Sequence, residues 1–449
     1  MKRNSSFLVT VASLAVPVAL QSLLQSSFSV VDQIMIGQLG STSIAGVGLA
    51  GKFASIFSVV VSAIGAAAGI MISQYLGQKN RQEVRRSFYL NLFLGFGMAA
   101  VFCLLCGLFP APIMGLYTRD AAVRQAAADY LRIIAGSFLP MAGATLLSTL
   151  LRCMEKAKLP LYASMVSAAL NTGLNYVFIF GKLGAPAMGA AGAAIATVIA
   201  QFANALLMLL MLPKQDSPLK KAAAGTVPGR FNWKQYYAML LPMLICEVVW
   251  SLGENAYAAI YGHMGAQASA AMTLLNPVQG LVIGALCGLS QAAAVIIGRK
   301  LGEQEYGEAY AASKKLILYG AVGSAVLSLA VILASSLYVQ IYQVEEAVKR
   351  LTRQLMLAYA LVAPFKVLNM ILGGGIIRSG GKTKYVMYID MIGTWGFGVP
   401  LGLLAAFAFK LEIPWVYFIL SLEECVRFLI SVIVFRRKKW MRSLEAETA

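Results

Sequence analysis

The chain has 449 residues, 59% of them hydrophobic and only 12% charged, with a formal net charge of +18. A soluble domain carries about 25% charged residues, so most of this surface is built to face something other than water. The positive balance would suit a nucleic-acid partner, but its distribution along the chain argues against one.

Apolar runs of roughly 20 residues, enough to cross a hydrocarbon core of about 30 Å, occur twelve times. They lie at approximately 8–36, 47–74, 88–108, 130–150, 159–180, 188–212, 236–262, 272–298, 313–338, 354–377, 385–409 and 413–435. This pattern predicts an all-α integral membrane protein whose spans are joined by short connections. The first run is too long for a signal-peptide core and lacks a small-residue cleavage site, so it is read as a retained span. With the N-terminus cytoplasmic, 26 of the 37 Lys and Arg fall in cytoplasmic segments and eight in external ones. The remaining three, Lys52, Lys366 and Arg427, are assigned to the spans. This is the positive-inside bias of an inner or plasma membrane protein with both termini in the cytoplasm.

Span one carries the most informative residue, Asp32, about 7 Å below Gly37 by helical rise. An ionisable group at such depth is costly and is retained by default for an ion, a proton or a charged substrate. The bland alternative is a packing network that satisfies Asp32, with Lys52 of span two as a partner. In span three, Cys103 and Cys106 have a CxxC spacing but no His or acidic neighbours, so they are read as small buried hydrophobes.

Span five adds Asn171 and Asn175, four apart and therefore on one helix face. They lie about 15 and 9 Å below Gly181, and Thr197 of span six lies about 13 Å in from Met188. Oxygen-bearing side chains at similar depth can ligate Na⁺ or hold a carboxyl that gains and loses a proton. Asp32, Asn171, Asn175 and Thr197 are thus the expected coupling site, and no cofactor beyond H⁺ or Na⁺ is expected.

The segment 213–233 is the one long polar, Pro/Gly-rich stretch and is read as a cytoplasmic linker between an N-lobe (1–212) and a C-lobe (234–449). Shifting the chain by 225 residues aligns Pro17 with Pro242, Gly37 with Gly262, Gly40 with Gly265 and Leu76-Gly77 with Leu301-Gly302. An even number of spans per repeat implies parallel halves, two six-helix bundles about a pseudo-twofold axis along the membrane normal.

In span seven, Glu247 and Glu254 are seven apart, nearly on one face, with Trp250 and Tyr257 along the same stripe. Carboxylates beside aromatic faces suit an organic cation, since cation–π attraction adds roughly 0.5–2 kcal/mol per contact. In span twelve, Glu423 and Glu424 precede Arg427 by four and three residues, so an intrahelical ion pair is expected. Asp390 of span eleven is expected to pair with Lys382, Lys384 or Lys366. His263, at the outer mouth of span seven, is read as a surface residue.

Several of these stretches resemble the multidrug and toxic compound extrusion (MATE) family. The carriers are Val31–Gly37 (VDQIMIG), Gln74–Lys79 (QYLGQK), Asn171–Gly181 (NTGLNYVFIFG), Gly189–Thr197 and Pro242–Gly253 (PMLICEVVWSLG). The resemblance implies a V-shaped cleft between two bundles and antiport of drug-like, often cationic compounds against Na⁺ or H⁺. It assigns the N-lobe coupling site to Asp32, Asn171 and Asn175, with Thr197 beside them, and likens Glu247 to the span-seven acid of several members. One departure concerns span ten, where some members carry an ion-binding aspartate. Here Pro364–Asn369 reads PFKVLN, with no acid, which moves weight to the N-lobe.

The sequence is thus expected to encode a monomeric secondary active multidrug exporter with drug-like cations and membrane lipid as partners and no nucleic acid. The alternatives are a flippase for a lipid-linked saccharide, for which only Lys52 and Lys366 offer basic groups, and an exporter of an endogenous metabolite. A non-transporting scaffold needs no polar groups at matched depth. An enzyme is disfavoured because no metal set or Ser/His pairing is present.

Overall fold

A computed structural model describes residues 2–212, 232–342 and 344–444, and these residues form helices joined by short turns, without a strand. Among the described residues, eleven helices are long and apolar enough to cross a bilayer: Phe7–Gly37, Thr42–Gly77, Arg81–Leu108, Ala121–Cys153, Lys158–Phe180, Gly189–Leu210, Trp233–His263, Ala266–Gly302, Tyr306–Gln340, Glu346–Ile377 and Thr383–Ala408. The twelfth expected span is two helical pieces, Ile413–Ser421 and Glu423–Arg436, jointed at Leu422. Span four begins nine residues earlier than its hydropathy indicates. Asp120 Oδ1 caps it there, accepting from the amides of Ala122 (2.8 Å) and Val123 (3.1 Å), which satisfies two donors that a helix start leaves open. Most of the expected linker, residues 213–231, lies outside the described residues.

Span nine shows why these helices suit lipid. Val322, Val326, Leu329, Leu333 and Leu337 recur at helical spacing and are all exposed. The opposite face is small and buried: Ser313, Gly320, Ser324, Ser328 and Ser335. In water this distribution would be inside out. In a bilayer, where lipid tails are as apolar as leucine, helices associate through close packing of small residues instead.

The 225-residue register reappears in the backbone. Helices Ser41–Gly77 and Ala266–Gly302 are each 37 residues long and start that far apart. Each is preceded by a glycine with positive φ, Gly40 at 92° and Gly265 at 114°, a conformation that glycine adopts without the Cβ clash. Each ends in a matching turn. Lys79 and Gln304 are left-handed (φ 57° and 60°), and the following amides of Asn80 and Glu305 donate to Tyr75 (3.0 Å) and Lys300 (2.9 Å) carbonyls. Such a turn satisfies carbonyls orphaned at a helix end.

The chain divides into two compact units, Leu20–Gly229 and Arg230–Ala449, the latter including Met1–Ala19. The first half of span one therefore packs with the second unit, a division that differs from the expected 1–212 boundary. The physical reason is local: the Ala15 carbonyl lies against Gly288 where a Cβ would stand.

In the second unit, spans ten and eleven contain wide π-helical turns at Met370–Ile377 and Ile392–Gly398, a form that concentrates at functional sites. The glycines of the Ile392–Gly398 turn make room for buried charge. A Cβ on Gly393 would overlap the Arg427 side chain, and one on Gly398 would overlap both the Tyr257 hydroxyl and the Glu423 carboxylate. Gly398→Ala is expected to push those groups apart and to cost about 1–3 kcal/mol, as overpacking does. A lowered Tm in detergent checks this, and an unchanged Tm would remove the packing argument.

Candidate functional site

Each unit holds a cluster of acidic and amide side chains inside its spans. In the unit Leu20–Gly229, the half-buried Asp32 projects from span one toward span five. Asn175 Nδ2 donates to Asp32 Oδ1 at 2.8 Å. A carboxylate only accepts, so the neighbouring amide of Asn171 must turn its nitrogen to it. In that orientation Asn171 Nδ2 lies 3.1 and 3.0 Å from the two Asp32 oxygens, and Asn171 Oδ1 lies 3.3 Å from Thr197 Oγ1. The Thr197 hydroxyl also has the Ala193 carbonyl in reach at 3.0 Å, and its single proton serves one of them. The i,i+4 spacing of the two asparagines is what lets both reach one carboxylate from one helix face.

Asp32 has no basic partner among the described residues, and the suggested Lys52 is exposed and forms no ion pair with it. Asn175 is 1% exposed, and its Oδ1 has no hydrogen-bond partner among the described residues. A buried amide oxygen left open costs free energy and is a natural ligand for a cation or a proton-bearing group. Tyr130 is a member that sequence reasoning did not name. It packs against the cluster of Met35, Ile179 and Ala193 that flanks the aspartate. It is the first residue of the apolar run 130–150, an end position whose depth hydropathy alone does not fix.

Two cavities of the second unit are lined by the acidic residues of the spans. One, of about 330 Å³, is lined by Glu254, Tyr257, Tyr359, Lys366, Glu423 and Glu424 among others. The other, of about 270 Å³, is lined by Glu247, Trp250, Lys366, Arg378, Asp390 and Glu424 among others. The four span-seven residues named from sequence are thus split between two chambers. Seven residues along a helix keep the same face but move about 10 Å along the axis, far enough for a different set of neighbours. Tyr257 is buried, while Glu254 and Trp250 are exposed and Glu247 is half-buried.

One expected pairing is corrected. Asp390 pairs with Arg427, and not with Lys382, Lys384 or Lys366. Arg427 also reaches Glu424 Oε1 at 3.5 Å, as the intrahelical spacing predicts, but forms no ion pair with Glu423. Asn369 completes the cluster, its Nδ2 donating to the Glu424 carbonyl and to Glu424 Oε2, both at 2.8 Å. Cys246 Sγ donates to Asp390 Oδ2 at 2.7 Å. Span eleven brings Asp390 to Arg427 because Gly393 lets the guanidinium stem lie against its backbone. The i,i+3 spacing of Lys366 and Asn369 on span ten was the available signal for this second cluster. His263, at the end of span seven, is exposed as read, with its Nδ1 2.8 Å from the Ala259 carbonyl.

Comparison with known proteins relates the chain as a whole to one family. The MatE profile matches residues 17–177 and 242–404, two segments whose starts differ by the same 225-residue register. The uncharacterized transporter YisQ of Bacillus subtilis is 23% identical over 447 residues, covering 98% of this chain and 97% of that protein. The probable multidrug resistance protein NorM of Thermotoga maritima is 23% identical over 429 residues, covering 95% and 92%. Among solved structures, a multidrug resistance MATE family transporter in an outward-facing conformation superposes with a TM-score of 0.87 at 16% identity, covering 96% of this chain and 95% of that one. A MATE structure in a bent conformation gives 0.86 over 96% and 94%. The chain belongs to the MatE family of multi-pass membrane transporters.

Proposed function

We propose that the protein is a secondary active exporter of amphipathic, often cationic compounds, driven by H⁺ or Na⁺ entering through Asp32. The observation that carries this reading is a carboxylate inside a membrane span, held by two asparagine amides and by no basic side chain among the described residues. A group held in that way can change its charge or its ligand without breaking an ion pair. Asn175 Oδ1, open beside it, can take Na⁺ as an oxygen ligand or accept from a protonated Asp32. Thr197 holds Asn171 in place. Binding of the ion removes the negative charge that the membrane interior penalises, and this change in charge is the physical basis for a shift between outward and inward states.

On the substrate side, Glu247 with Trp250 and Glu254 with Tyr257 supply carboxylate and aromatic contacts for an organic cation. Charge distribution along the sequence supports a cell-membrane location with both termini cytoplasmic. Each site lies within one unit of one chain, which supports a monomeric transporter. A lipid-linked saccharide flippase needs basic groups in excess for the pyrophosphate. Arg378 and Arg427 join Lys366 at the smaller cavity, more than the sequence reading allowed, but Glu247, Asp390 and Glu424 match them in number.

The test is efflux of a fluorescent organic cation from proteoliposomes with Na⁺ and pH gradients imposed separately. One of the two gradients is expected to drive efflux at least tenfold above protein-free vesicles. Efflux insensitive to both would overturn the proposal.

A further inference from the structure

Lys366 and Glu424 are the two side chains that line both of the acidic cavities described above. Glu424 is already committed to Arg427 and Asn369, and Asp390 is committed to Arg427. The carboxylates left over are Glu254 and Glu423 in the larger cavity and Glu247 in the smaller. Lys366 is half-buried inside span ten and has no hydrogen bond or ion pair of its own among the described residues. An ammonium inside a membrane span without a fixed partner is expensive and marks function by default. Its four-carbon stem is flexible enough to choose between neighbours. The larger cavity also points to a ligand in a second way: Tyr359, one of its lining residues, is 1% exposed and its hydroxyl has no partner among the described residues.

We infer that Lys366 is a tethered cation that competes with the transported organic cation for the carboxylates of the second unit. The inference rests on the export of organic cations proposed above. When a substrate cation occupies Glu423 or Glu247, the ammonium is displaced toward the other chamber. When the substrate leaves, the ammonium returns and neutralises the carboxylate, so this unit is reset without an inorganic ion of its own. Span ten thereby supplies a cation from the protein itself at the stretch where its sequence carries no acid.

The experiment is equilibrium binding of tetraphenylphosphonium to the purified full-length protein in detergent. Lys366→Gln is expected to bind it about tenfold more tightly than wild type, the equivalent of roughly 1.4 kcal/mol of relieved competition. Lys366→Arg, which keeps the charge, is expected to stay close to wild type, and Glu423→Gln to bind more weakly. A merely structural role for Lys366 would weaken binding, not tighten it. Equal or weaker binding by Lys366→Gln, or the same gain in Lys366→Arg, overturns the inference while leaving cation export standing. No binding by either wild type or Lys366→Gln overturns both. If the glutamine variant does not fold, Lys366→Met is read in the same assay against the same criteria.

Discussion

Asp32→Asn is expected to abolish gradient-driven efflux while the protein still inserts, folds and melts near the wild-type temperature. Asparagine keeps the volume and can still accept from Asn175, so the hydrogen-bonded frame of span five survives. What disappears is the negative charge that takes up the coupling ion. Each uncompensated positive charge entering down 100 mV is worth about 2.3 kcal/mol. For a neutral cargo that sustains roughly a 50-fold concentration gradient, and in the variant the ratio should fall to one. Substrate accumulation measured in proteoliposomes at fixed potential checks this. Efflux at the wild-type rate in a folded variant would show that the ion travels elsewhere.

The largest effect on stability is expected at Arg427. Its guanidinium serves Asp390 and Glu424 at once and is only 13% exposed. Arg427→Gln leaves two buried carboxylates without their counter-charge. Removing one partner of a buried pair costs about 3–5 kcal/mol, far more than the intact pair contributes over a well-packed apolar replacement. The variant should melt well below wild type, and adding Asp390→Asn should recover part of the loss, because one stranded charge is then removed. Thermal unfolding of the two variants in the same detergent measures both effects. A double variant no more stable than the single one would mean that Asp390 and Arg427 are not energetically coupled.

These two sites differ in how far the sequence foretold them. The first was legible because its information is local. Asn171 and Asn175 share a face by their spacing alone, and the depth of Asp32 follows from counting residues to a glycine turn. The duplicated turns were legible for the same reason: Gly40 and Gly265 take a backbone conformation that most other residues resist. The second site was harder to read. Helical spacing put Glu424 beside Arg427, yet nothing in it points to Asp390, which lies 37 residues from Arg427 on another span. Likewise Glu247 and Glu254 share a stripe, but the neighbours they meet from span ten place them in separate chambers.

The sequence by itself determined the membrane-spanning helical class, the repeat, the positions of the turns and the identity of the aspartate and its two asparagines. All of these depend on periodicity, hydropathy and backbone preference, which act over a few residues. The tertiary structure alone decided that Asp390 meets Arg427, that Lys366 stands between two cavities and that the start of span one packs with the second unit. Those outcomes depend on how closely two helices approach. Whether a guanidinium or a carbonyl fits into the gap is settled by single missing side chains at Gly393 and Gly288, whose consequences appear only when the helices are side by side.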